Sequence, residues 1–91
     1  MAERQNVRLL LFVADGEPRT FAAIQNIGRA LESFHERAFL LEIVNVFDEP
    51  ERAMAERVLV TPTLLAPESA RRLVGDLSES SMVNYFLQSL R

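Results

Sequence analysis

The chain contains no cysteine. That removes a disulfide framework, a thiolate metal site and a thiol nucleophile, whatever the compartment. Lysine is missing too: the 10 basic residues are all arginines, scattered from Arg4 to Arg91 against 13 acidic ones, for a formal charge of −3. Without a dense basic stripe to track phosphates, nucleic acid is not an expected partner. Histidine occurs once, as His35, so a Ser-His-Asp triad or a site built from several imidazoles has too few residues to draw on. Near a predicted helix end, His35 reads as a solvated side chain with no catalytic role. Long hydrophobic runs are also missing. The start, Met1 to Asn6, is polar, and Val7 to Ala14 is too short to span a membrane or to form a secretory core. The expectation is a cytoplasmic protein with no membrane partner and a flexible segment over 1–6.

What remains is the profile of a packed domain: 91 residues, 48% hydrophobic, 25% charged, with only 3 glycines and 4 prolines. A chain of this length cannot support two independent cores, so residues 1–91 are read as one domain. Val7 to Ala14 is almost continuously apolar and ends at Asp15-Gly16, which predicts a central strand buried on both faces. Pro18 suits a first helical turn, and Phe21, Ile24, Ile27, Gly28, Leu31 and Phe34 recur at helical spacing, predicting a helix from Pro18 to about Glu36. Phe39 to Val46 is a second apolar run, and strand, long helix, strand gives a right-handed unit with parallel strands.

Asp48 is the predicted cap of a short helix through Pro50, Ala53, Met54 and Arg57. Val58-Leu59-Val60 then leads into a strand beside Pro62, and Ala66-Pro67-Glu68-Ser69 reads as the turn of a hairpin. The hairpin returns through Ala70 to Gly75 and forms the sheet's other edge. Ser78 is the predicted cap of a last helix whose apolar stripe is Met82, Val83, Phe86, Leu87 and Leu90, and the core draws on all three helices. The order is βαβαββα: an α/β fold with a mixed four-stranded sheet and three helices.

Candidate chemistry is thin. Asp15 and Glu17 are carboxylates at a strand's C-terminal end, where α/β folds often place sites, but turns and caps need the same residue types and no phosphate-binding glycine loop or oxyanion donor accompanies them. Asp48, Glu49, Glu51 and Glu56 lack the alternating spacing of a calcium loop and read as a solvated face. Arg71 and Arg72 are neighbours on a strand and therefore point to opposite faces. No cofactor, metal or catalytic residue is expected.

The βαβαββα order with Thr61-Pro62-Thr63 before the hairpin resembles the thioredoxin fold, which makes Pro62 a candidate for a cis peptide. The turn that carries Cys-x-x-Cys in redox members reads Ala14-Asp15-Gly16-Glu17-Pro18 here, so thiol exchange is excluded. Three further segments carry a more specific resemblance: Leu11-Phe12-Val13-Ala14 with Pro18 after it, Thr61-Pro62-Thr63-Leu64, and Arg71-Arg72-Leu73-Val74-Gly75-Asp76-Leu77-Ser78. Together they resemble the KaiB family of bacterial clock proteins.

That resemblance implies a non-enzymatic protein-binding module that docks on the hexameric ATPase KaiC, and a family fold with a tetrameric and a thioredoxin-like form. The stretch before Arg71-Arg72 is shorter than in clock members, and Phe86 and Gln88 stand where they place glycine and aspartate; both features favour the thioredoxin-like form. The family's KaiC-facing basic positions fall on Ala22, Glu42 and Arg57, of which only Arg57 is basic. From their strand positions at least one of Arg71 and Arg72 must be solvent-exposed or pair across the sheet, so the pair is counted with the candidate binding surface, while Pro62, Gly75 and Asp76 are read as structural. Two alternatives stand beside KaiC docking: an adaptor like the KaiB-like sensor domain of clock histidine kinases, and self-association through the hairpin edge or an apolar helix face. An enzyme using Asp15 and Glu17 is the remaining alternative.

Overall fold

The computed structural model describes residues 6–34, 38–75, 77 and 80–90. Its elements follow the expected order: β1 (Asn6–Val13), α1 (Pro18–Glu32), β2 (Ala38–Asn45), α2 (Pro50–Ala55), β3 (Thr63–Ala66), β4 (Arg71–Val74) and α3 (Ser80–Gln88). The strands form one sheet in the order β2-β1-β3-β4. β1 and β2 are parallel and in unbroken register from Asn6↔Ala38 to Val13↔Asn45. β3 runs antiparallel to β1, and β4 returns antiparallel to β3. This is the thioredoxin-like arrangement, with the back half folded as hairpin and helix.

β1 holds the two layers together because its side chains are apolar on both faces. Leu9, Leu11 and Val13 pack with Leu64 and Ala66 against α1 and α3, through Ala23, Ile27, Val83, Phe86 and Leu87. Leu10 and Phe12 point the other way, joining Val44, Leu65 and Ala53 of α2. A fully buried Leu or Phe contributes about 1.5–3 kcal/mol, so Leu9, Leu11 and Phe12, all at 0% exposure, anchor both layers from one strand. The layers are unequal. Helices of 15 and 9 residues cover one face, whereas the 6-residue α2 covers only part of the other.

Several expectations are corrected. α1 stops at Glu32, short of Glu36, because the Ser33 hydroxyl turns back to donate to Ala30 O at 2.7 Å, an alternative partner for a helical carbonyl. Phe21 is not part of the buried stripe but 66% exposed; the face that meets the sheet is Ala23, Ile27 and Ala30. Asp48 does not cap α2: Glu49 holds that position without a side-chain bond, and the Asp48 carboxylate instead accepts from Asn45 Nδ2. α2 gives the core one residue, Ala53, so it adds far less than α1 and α3. Ala66 belongs to β3 and Ala70 to the turn, where it adopts φ 56°. Met82 is 54% exposed and lies off α3's buried face. His35, Asp76 and the proposed cap Ser78 lie outside the described residues.

Candidate functional site

At the C-terminal end of β1 three connections converge: the turn after Ala14, the turn after Asn45 and the loop from Val58 to Pro62. Asn45 ties the first two. Its Oδ1 accepts the backbone N–H groups of Asp15 at 3.3 Å and Phe47 at 3.2 Å, while its Nδ2 donates to Asp48. The third is held from within: Thr63 is buried, its hydroxyl donates to Val60 O at 2.7 Å, and the Thr61–Pro62 peptide is cis. Gly75, at φ 102°, donates its N–H to Pro62 O, a backbone conformation that favours glycine.

Between these connections lies an open groove of about 540 Å³, floored by Ala14, Val46 and Ala53 and bordered by Arg19, Phe47 and Leu59. Its rim is apolar and exposed: Leu59 is 92% accessible, Phe47 69% and Val60 50%. Exposed large apolar side chains gathered at one place mark a protein contact, because leaving them in water has a free-energy cost that a partner removes. Asp15 and Glu17 sit beside the rim, both solvent-facing, and Glu17 pairs with Arg19 at 3.8 Å. Among the described residues no cluster of histidine and carboxylate side chains is placed to hold a metal ion. Nor is any helix long and apolar enough to cross a membrane.

α2 is held over the second sheet face from two sides. On the β2 side Arg52 forks onto Glu42, with Nη1 to Oε2 at 2.6 Å and Nη2 to Oε1 at 3.1 Å, and also reaches Glu49 at 3.2 Å. The hydrogen bond from Arg52 lowers the Glu42 pKa from its ordinary value, outweighing an opposing effect of burial, and the charges of Arg52 and Arg8 lower it further. The two carboxylates in turn hold Arg52 firmly protonated. On the β4 side Arg72 donates to Glu56 O at 2.6 Å and to Arg57 O at 3.2 Å. A guanidinium fork suits carbonyls left open past a helix C-terminus. Arg57, exposed and at φ 57°, turns the chain from α2 into the groove's rim.

The expected binding residues therefore divide. Arg57, Arg72 and Glu42 lie on the α2 side of the sheet, with Arg72 beside Arg57 and Glu42 on the opposite edge strand, and both Glu42 and Arg72 are engaged with α2. Arg71 and Ala22 belong to the other layer: Arg71 reaches Ser89 O beyond α3, and Ala22 is half-buried on α1. Pro62 and Gly75 join across the base of the loop. Sequence reasoning missed Asn45, Arg52, Phe47, Leu59 and Val60. An asparagine closing an apolar strand just before a turn is a known sign of side-chain to backbone bonding. Leu59 and Val60 were hidden because an apolar run beside a predicted strand reads as part of it.

Comparison with known proteins adds an independent line. The KaiB domain family model matches residues 10–89. The circadian clock oscillator protein KaiB of Prochlorococcus marinus strain MIT 9312 is 33% identical over 85 residues, 91% of this chain and 81% of that protein. KaiB of Synechococcus sp. strain CC9311 is 32% identical over the same share of this chain and 71% of its own length. In three dimensions the solution structure of the N-terminal domain of Synechococcus elongatus SasA superposes with a TM-score of 0.75 at 30% identity, covering 99% of this chain and 88% of that domain.

Proposed function

Since this chain belongs to the KaiB family, we propose that it is a non-enzymatic protein-binding module of a clock-type signalling system, and that it docks on a KaiC-type ATPase. The observation that carries the reading is the rim of Phe47, Leu59 and Val60 around an open groove, with Arg57 beside it. Apolar residues at the centre supply most of the contact energy, and Arg57 at the edge steers approach and register. Ala22 on α1 and Glu42 on β2 occupy positions where the family carries positive charge. A partner surface suited to this chain is correspondingly less acidic opposite them. Arg72 acts from behind, fixing the α2 end that presents Arg57, and Arg71 steadies the end of α3. Catalysis by Asp15 and Glu17 has no support in their solvated setting, where Glu17 pairs with Arg19.

The test is a titration of the intact chain against a KaiC-type hexamer. A complex should form, and Leu59→Ser and Arg57→Glu should each weaken it at least tenfold while leaving the fold unchanged. If no complex appears after prolonged incubation, the named partner is wrong. One observation favours a second reading, an adaptor like the SasA N-terminal domain: the superposition on that domain covers nearly the whole chain. The titration decides between them, because an adaptor for a different signalling partner leaves the KaiC-type hexamer unbound.

A further inference from the structure

The two edges of the sheet are treated differently. β4 is 4 residues long, and its sequence opens with Arg71 and Arg72, charged residues that discourage a further strand. β2 is 8 residues long, keeps unbroken register with β1, and contains neither proline nor lysine. Its only charged side chain, Glu42, is turned onto Arg52 on one sheet face and so does not guard the edge. Leu40 and Ile43 are 53% and 45% exposed along it. Among the described residues nothing pairs with the outer side of β2.

The backbone parity fixes how a strand can add. Val46 N–H donates to Val13 O at 2.9 Å, so the even-numbered residues of β2 direct their backbone groups at β1 and the odd-numbered ones direct theirs outward. Phe39, Leu41 and Ile43 therefore present three N–H and three C=O groups to an incoming strand. A second copy of β2, laid antiparallel with Leu41 opposite Leu41, pairs Phe39 with the partner copy's Ile43 and Ile43 with its Phe39, satisfying all of them. Side chains then match as well: Phe39, Leu41 and Ile43 form one apolar cross-strand row, and Leu40 faces the other copy's Glu42. A shift by two residues one way sets Glu42 directly against Glu42, a like-charge contact. It also calls on Asn45 O, which already accepts from Asp48 and Glu49 N–H. A shift the other way leaves Ile43 outside the pairing.

We propose that two copies of this chain associate through β2, antiparallel about a two-fold axis at Leu41, to form a continuous eight-stranded sheet. The site differs from the Leu59 and Arg57 rim, and the inference does not rest on KaiC docking. Sedimentation of the intact chain over a concentration series, with amide exchange read at both ends of the series, tests it. The expected result is a monomer–dimer equilibrium in which the Phe39, Leu41 and Ile43 amides gain protection with concentration while Leu73 stays constant. Ile43→Lys, opposite Phe39, should raise the dimer dissociation constant at least tenfold, whereas Leu40→Lys, opposite Glu42, should leave it unchanged or lower it. Both side chains are exposed, so neither variant disturbs the monomer, which circular dichroism checks. A chain that stays monomeric at every concentration overturns the proposal. So does protection of those amides only on adding a different protein, or equal weakening by the two lysine variants.

Discussion

Glu42 and Arg72 stand at opposite ends of one row across the sheet, Glu42–Leu10–Leu65–Arg72, and each side chain holds a different part of α2. Between them the row is apolar and buried, so the short helix rests on Leu10 and Leu65 with a charged clasp on either side. This compensates for its length. Six residues are too few to be stable as an isolated helix, and Ala53 is its only buried side chain. The groove's apolar rim brackets α2, with Phe47 before it and Leu59 and Val60 after it, so what fixes the helix also fixes the rim.

Removing the β4 clasp should loosen that end. Arg72→Ala leaves Glu56 O and Arg57 O without their guanidinium donor and is expected to lower stability by about 1–2 kcal/mol in chemical denaturation. The local signature is faster amide exchange at Arg57 and Val58, whose N–H groups bond back to Met54 O and Ala53 O. Arg72→Lys should restore only part of the loss, because an ammonium cannot fork onto two carbonyls in a fixed plane. Arg71→Ala, which gives up one bond to Ser89 O on the other layer, should leave those amides unchanged.

The β2 clasp makes a prediction in pH. Arg52 lowers the Glu42 pKa, so the unfolded chain takes up this proton more readily than the folded one. The stabilisation is fully present above the ordinary glutamate value of about 4.3 and is lost as pH falls through the lower folded value. Denaturation midpoints measured from neutral pH downward should therefore decline below about pH 4.3. Glu42→Gln should flatten part of that decline; a profile indistinguishable from wild type would remove Glu42 as a contributor.

The large-scale plan was legible because each strand and helix carries its own periodicity: β1 as an unbroken apolar run, α3 as Val83, Phe86 and Leu87 at helical spacing. α1 shows where such reading fails. Its packing face is Ala23, Ile27 and Ala30, small residues that let the helix lie close to the sheet, whereas periodicity weighted toward large side chains selects Phe21, which is exposed. The site was less legible for a different reason. Asn45 meets Asp15, Arg52 meets Glu42, and Arg72 meets Glu56, pairs separated by 30, 10 and 16 positions, and no local pattern encodes such meetings. The Thr-Pro-Thr segment was the exception, because a proline before a strand restricts the backbone locally and marks its loop.

Ala70 offers a stabilising change. It ends the β3–β4 turn at φ 56°, a left-handed conformation in which its Cβ crowds the following carbonyl. Glycine adopts this region freely, and the relief exceeds the entropy that glycine loses on folding. Ala70→Gly is expected to add about 0.5–1 kcal/mol, a rise of about 2–8 °C in Tm for a domain of this size. Calorimetry checks it. An unchanged or lower Tm would mean that the turn is not held in this conformation.

The terminal helix carries the most severe test of the fold. Phe86 is 7% exposed and packs in the layer formed by α1, α3 and the sheet, with Val83 and Leu87 beside it. Truncating a buried Phe costs about 3–5 kcal/mol, and glycine in a helix interior adds about 1 kcal/mol over alanine. Phe86→Gly removes both contributions from an element of only 9 residues, on which one side of the core depends. The expected outcome is a loss of about 4–6 kcal/mol, large against the 5–15 kcal/mol of a typical domain. Phe86→Leu keeps the helix and most of the burial and should cost far less. Backbone NMR shifts over residues 80–90 distinguish the causes: helical shifts should persist in Phe86→Leu and fade in Phe86→Gly. Equal stability of the two variants would show that α3 is not the anchor this packing requires.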